Sequence, residues 1–265
     1  MKTSVQFKAV FFLLTLLSLT GCDQSSADQP MEDRSRKVLV LINDQSASIQ
    51  QDSVELQHQQ LCVKRYLHAH GEPNMDLLLL NVNSNSGSAV NHFLLSWKNS
   101  QQQHSGEYRS DTDKMLDESA KASSDNLQVK KLQRQLLDEL LAQQGSTRSN
   151  QTEILELIPE LARLTSDYQS VYILFLSDMI SESNLRDFRS RLPSSKNQAE
   201  KMALQDAQAI QKSFGLTSKP LAKVTSIDVL VPRSADQRPL VLLPFYYQQF
   251  CSEFGFSGQI GWASE

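Results

Sequence analysis

At Asp44-Gln45-Ser46-Ala47-Ser48 an aspartate and two serines alternate directly behind the apolar run Lys37–Ile42. Alternate side chains of an extended loop point to one side, so Asp44, Ser46 and Ser48 can present oxygen together to a hard cation. The same residues equally suit a helix N-cap or a turn, because Asp and Ser side chains accept backbone N–H bonds. Two further oxygen-bearing residues could converge with them. Thr152 lies in a polar stretch just ahead of a helical pattern, and Asp178 directly follows the buried-strand pattern Val171–Leu176.

Asp-x-Ser-x-Ser, then a distant Thr and a later Asp, resembles the metal-ion-dependent adhesion site of the von Willebrand factor A (VWA) domain family. The resemblance covers most of residues 37–262. It implies that Ser46 and Ser48 bind the metal directly, Thr152 directly or through water, and Asp44 and Asp178 through water or directly. The implied ion is Mg²⁺ or Mn²⁺, which prefer octahedral oxygen coordination. Because hydroxyls are neutral, two aspartates leave the cation incompletely screened. The resemblance implies that a protein partner presenting an acidic residue completes the coordination. The sequence departs from the family at Met179 and Gln151, where glycine is frequent. Neither position supplies a ligand; both bear on loop geometry.

The enzyme readings lack their chemistry. An aspartate after the first strand also suits a haloacid-dehalogenase-like phosphatase, but the acid expected two residues later is replaced by Ser46. The five histidines form no His-Glu-x-x-His pattern, no cysteine pair has zinc-site spacing, and neither a Gly-rich phosphate loop nor a Gly-x-Ser-x-Gly elbow occurs. Binding, not catalysis, is therefore expected. Two alternatives are a structural subunit of an envelope complex with a vestigial metal site, and an envelope hydrolase.

The elements that must position these residues follow from periodicity. Lys37–Ile42 and Met75–Val82 read as buried strands, with a helix over Ser53–His70 between them and Gly71 and Pro73 stopping it. His92–Trp97 suggests a third strand, as an antiparallel edge partner. Within residues 100–150, Leu127, Leu132, Leu136, Leu137, Leu140 and Leu141 recur at helical spacing, which suits a helix packed on the sheet or a coiled-coil or partner helix. Thr152 is expected to open a further helix, kinked at Pro159. Val171–Leu176, a helix over Gln198–Phe214, Val224–Val231, a helix over Pro244–Phe254 and a short strand at Gln259–Trp262 complete the pattern. Alternating strands and helices predict an α/β fold, a doubly wound, mostly parallel sheet flanked by helices, with ligands at the carboxyl ends of the strands.

Residues 1–21 read as a signal peptide: Lys2 and Lys8 precede an apolar run, Ala9–Leu19, too short to span a bilayer. Leu19-Thr20-Gly21-Cys22 resembles the lipobox of bacterial lipoproteins, which implies acylation of Cys22 and a membrane anchor. Asp23 resembles an inner-membrane retention signal, so a periplasm-facing position on the inner membrane is expected. Residues 22–36 suit a flexible tether, and 37–265 one domain. A net charge of −4 without a basic stripe argues against nucleic-acid binding. Cys62 and Cys251 could form a disulfide in an oxidising compartment. The family resemblance implies that their helices are neighbours on one face of the sheet; otherwise both are small buried apolar residues.

Overall fold

The computed structural model describes residues 36–45, 53–82, 92–97, 111–143, 152–216, 219–233, 235 and 238–264. The signal peptide, Cys22, Asp23 and the tether lie outside the described residues, as do Ser46, Ser48 and Gln151.

Six strands form one sheet: β1 (Lys37–Asp44), β2 (Met75–Val82), β3 (His92–Leu95), β4 (Ser170–Leu176), β5 (Val224–Val231) and β6 (Gly261–Ser264). Their order is β3-β2-β1-β4-β5-β6, and every pairing is parallel except β2 with β3. The fold is thus a doubly wound α/β fold with an antiparallel edge strand at β3. The continuous apolar runs of β1 and β2 follow from burial on both faces. Alternate residues of β1 serve two cores. Val38, Val40 and Ile42 join one with helices α3 (Leu157–Leu164), α4 (Lys196–Phe214) and α5 (Leu243–Glu253). Leu39 and Leu41 join the other with α1 (Ser53–His70) and α2 (Asp111–Gln143).

The connections assign the helices to these faces. Strand order runs one way from β1 to β2 and the opposite way from β4 through β5 to β6. Right-handed crossovers therefore place α1 on one face and α4 and α5 on the other. This corrects the expected disulfide. Cys62, on α1, packs against one core, whereas Cys251, on α5, is buried in the other, and no disulfide joins them.

Two helix expectations also change. The helix after Thr152 begins only at Leu157, since Thr152 instead forms a β-bridge with Glu182. Pro159 then falls in the first turn of α3, where a missing N–H removes no intrahelical bond, and no kink is required. The last strand is displaced to Gly261–Ser264. Gly261 is fitted to that strand, because a Cβ there would lie 2.3 Å from Asp228 Oδ1. Among the described residues no helix is long and apolar enough to cross a membrane.

Candidate metal centre

The sheet order reverses between β1 and β4, and both strands end at this switch point, where doubly wound folds hold ligands. Asp44 is the last residue of β1 and only 1% exposed; Asp178 follows β4 by one residue past Ser177 and is 2% exposed. Burying two carboxylates side by side on strand ends is costly unless each gains compensating bonds or a cation.

Part of that compensation comes from Ser177. Its hydroxyl donates to Asp44 Oδ2 at 2.6 Å and accepts the Met179 N–H at 2.8 Å. Asp178 Oδ1 accepts the Ile180 N–H at 3.0 Å, a short turn closed by its own side chain. The backbone between these bonds is tight: Met179 has φ 58, in the left-handed region, with its side chain 2% exposed. The departure that the sequence suggested would bear on loop geometry falls on this left-handed residue, a conformation that glycine adopts without steric cost.

Thr152 reaches the same loop by main-chain pairing. Its N–H donates to Glu182 O at 3.3 Å and its carbonyl accepts the Glu182 N–H at 2.9 Å and the Ser181 hydroxyl at 3.2 Å. The side chain is 0% exposed, yet its Oγ1 has no hydrogen-bond partner among the described residues. Leaving a buried hydroxyl unpaired costs about 1–3 kcal/mol. Three of the five sequence-predicted ligands, Asp44, Thr152 and Asp178, are therefore brought to one sheet edge.

At the opposite edge of the sheet a buried carboxylate is held by groups of the protein itself. Asp76, near the start of β2 and 1% exposed, is paired with the Arg36 guanidinium, the Tyr168 hydroxyl at 2.6 Å and the Trp97 N–H at 2.6 Å. There a cation and two donors come from the protein itself.

Several groups at the candidate centre carried no sequence signal. Tyr247 of α5 is buried behind the loop and donates to Met179 O at 2.8 Å. Burial raises its pKa well above the ordinary range, and the charges of Asp178, Asp44 and Glu156 add to this. Glu156, which precedes α3, has a buried Oε2 without a partner among the described residues, and burial raises its pKa. Arg189 pairs with Glu182 at the exposed rim, and Glu182, Asp178 and Asp187 together make its guanidinium more basic. Arg186 and Tyr246 clamp Asp206, each within 2.7 Å, and tie the loop to α4 and α5. Ser177 was visible as a polar residue next to Asp178, but its bond to Asp44 depends on β1 and β4 being neighbours.

The donor set suits a hard dication. Its described members are carboxylate and hydroxyl oxygens, and the orphaned Thr152 Oγ1 is a neutral oxygen of the kind Mg²⁺ or Mn²⁺ accepts. Among the described residues no group of three or more His, Cys, Asp or Glu is placed to hold a metal ion.

No protein-family model matches the sequence, and no curated protein matches it. Solved structures that it resembles include the VWA domain of SpRpn10, with 12% identity over 87% of this chain and 88% of that one, TM-score 0.35. The human COPII-coat protein Sec24c shares 13% identity over 87% of this chain and 29% of its own, TM-score 0.41. The manganese-loaded TRAP protein of Plasmodium vivax shares 12% over 87% of this chain and 69% of its own, TM-score 0.34.

Proposed function

We propose that this chain is a VWA-like domain, lipid-anchored through Cys22 on the periplasmic face of a bacterial membrane, that binds a protein partner through a divalent cation. Asp44, Ser46, Ser48, Thr152 and Asp178 hold Mg²⁺ or Mn²⁺, and an acidic residue of the partner completes the coordination. The observation that carries this reading is the unpartnered Oγ1 of fully buried Thr152, on the segment bridged to the Asp178 loop. A buried hydroxyl without a donor or acceptor calls for a partner from outside the chain, and a bound cation is one that supports this reading.

The test is thermal unfolding with and without Mg²⁺ or Mn²⁺. Ion at 100 times its Kd stabilises the folded state by about 2.7 kcal/mol. Asp44→Ala and Thr152→Val remove that response, and in crosslinked pull-downs from membranes both chelator and Asp44→Ala abolish partner capture. Melting that neither ion alters would sink the reading. It would favour the structural-subunit alternative, which is supported by the Ser177 bond that already engages Asp44.

A further inference from the structure

The apolar alternation of β1 and β2 breaks at one level. On the face that α1 and α2 cover, β1 presents Leu39 and Leu41 and β2 presents Leu77 and Leu79, all in one core. The next residues on that face are Asn43 and Asn81, which stand opposite each other in the β1–β2 register and are both buried. Leucine at either position would extend the core, whereas a buried amide is costly unless its hydrogen bonds are made. Here the bonds converge on one atom. Asn81 Oδ1 accepts from Asn43 Nδ2 at 3.2 Å and from Gln45 Nε2 at 3.3 Å. The Gln45 N–H also donates to Val82 O at 3.1 Å, so the bonding of β1 to β2 reaches one residue past Asp44.

Gln45 lies between Asp44 and Ser46 in the sequence. Successive side chains of extended backbone point to opposite sides. Asp44 follows Ile42 onto the face of the other core, where the Ser177 hydroxyl bonds it, and Gln45 follows Asn43 back to the α1 side. Gln45 is thus held twice, by its main-chain N–H and by its side chain, on the face opposite the Asp44 carboxylate. Rotating the backbone there would break both bonds. The direction in which the chain leaves β1 towards Ser46 is therefore set from β2, by a residue with no place in the ligand set.

We propose that Asn81 is a positioning residue of the metal centre, which through Gln45 fixes how the Asp44–Ser48 segment departs from β1. It acts without touching the ion, and its role rests on the metal-binding reading above. A partner of this kind behind metal ligands is worth about 10–100-fold in affinity.

The test is Mn²⁺ titration of the full-length chain in detergent, read by the electron paramagnetic resonance signal of free Mn²⁺, beside urea unfolding in chelator. Gln45→Met keeps the length of the side chain and removes its donor. Asn81→Leu removes the accepting oxygen, and Asn81→Asp keeps it. Gln45→Met and Asn81→Leu are expected to weaken Mn²⁺ binding on the order of 10-fold, while Asn81→Asp binds at least as tightly as wild type. In chelator the urea midpoint of Gln45→Met is expected to match wild type, because Asn81 keeps its bond from Asn43. Wild-type affinity in Gln45→Met overturns the proposal and leaves the metal-binding reading standing. A midpoint that falls together with affinity in Gln45→Met marks the contact as structural only and overturns it too, as does an Asn81→Asp variant as weak as Asn81→Leu. A wild-type chain that binds no Mn²⁺ overturns both.

Discussion

The hydroxyl of Ser177 donates to the carboxylate of Asp44 at 2.6 Å across the β1–β4 boundary, while the Met179 N–H donates back to the same hydroxyl at 2.8 Å. One small side chain thus orients a buried carboxylate and closes the turn that carries Asp178. Ser177→Ala removes one hydrogen bond from Asp44 and leaves the Met179 N–H without the hydroxyl it donates to, at a cost of about 1–3 kcal/mol for a buried unpaired donor. It also removes one of the bonds that orient the Asp44 carboxylate. With Asp44 holding a cation as proposed, loss of this orienting partner is expected to cost about 10–100-fold in affinity. Urea unfolding and Mn²⁺ titration of the variant read the two effects separately; unchanged values in both would refute the role given to Ser177.

Met179 sets two effects of opposite sign against each other. Its left-handed backbone, φ 58, would be relieved by glycine, a gain of about 1–2 kcal/mol for a non-glycine residue in that region. Its side chain is 2% exposed, and removing a buried methionine costs about 2–5 kcal/mol when the gap does not collapse. The cavity term is larger, so Met179→Gly is expected to lower stability despite restoring the residue common in VWA domains. Chemical denaturation decides it: a more stable glycine variant would mean that the loop closes over the gap.

Much of this architecture could be read in advance because buried parallel strands leave continuous apolar runs. Lys37–Ile42 and Val171–Leu176 therefore located Asp44 and Asp178 at strand ends, and sheet order then made them neighbours. Thr152 was harder. Its segment looks helical because Ile154, Leu157, Ile158 and Leu161 are spaced for one face. Its backbone instead pairs with Glu182, a long-range bond with no local signature. The cysteine pairing depended on which face each helix occupies, and that follows from the direction in which strands are added, a property of the whole sheet. Tyr247 and Glu156 belong to patterns indistinguishable from ordinary core and cap residues until α5 and α3 are packed against the loop.

Glu156 gives the fold a definite response to pH. Burial raises its pKa above 4.5, with the Ser183 hydrogen bond opposing the shift. An acid raised in the folded state binds its proton more tightly there than in the unfolded chain. Its contribution is fully present below the unfolded value and is lost as pH climbs through the folded value. Glu156→Gln mimics the protonated form at every pH. Thermal melts are therefore expected to coincide for the two proteins near pH 4 and to favour the variant at neutral pH. Equal melting temperatures at both ends, or a less stable variant at neutral pH, would contradict the assignment.

With Cys22 replaced by serine, the two remaining cysteines of the three, Cys62 and Cys251, offer a direct check on the sidedness of the helices. Cys251 is 6% exposed in the core beneath α5, and burial pushes its thiol from 9.0 up to about 12. Since the thiolate is the reactive form, a three-unit rise cuts its population about a thousand-fold at neutral pH, before any steric protection. Cys62 is half-buried on α1 against the opposite core, its sulfur 3.7 Å from His58 Nδ1. A thiol-reactive probe is expected to label Cys62 in the native protein and Cys251 only after denaturation, and Cys62→Ser is expected to remove the native signal. If native protein from an oxidising compartment yields a Cys62–Cys251 peptide pair on digestion, α1 and α5 share one face and the crossover assignment is wrong.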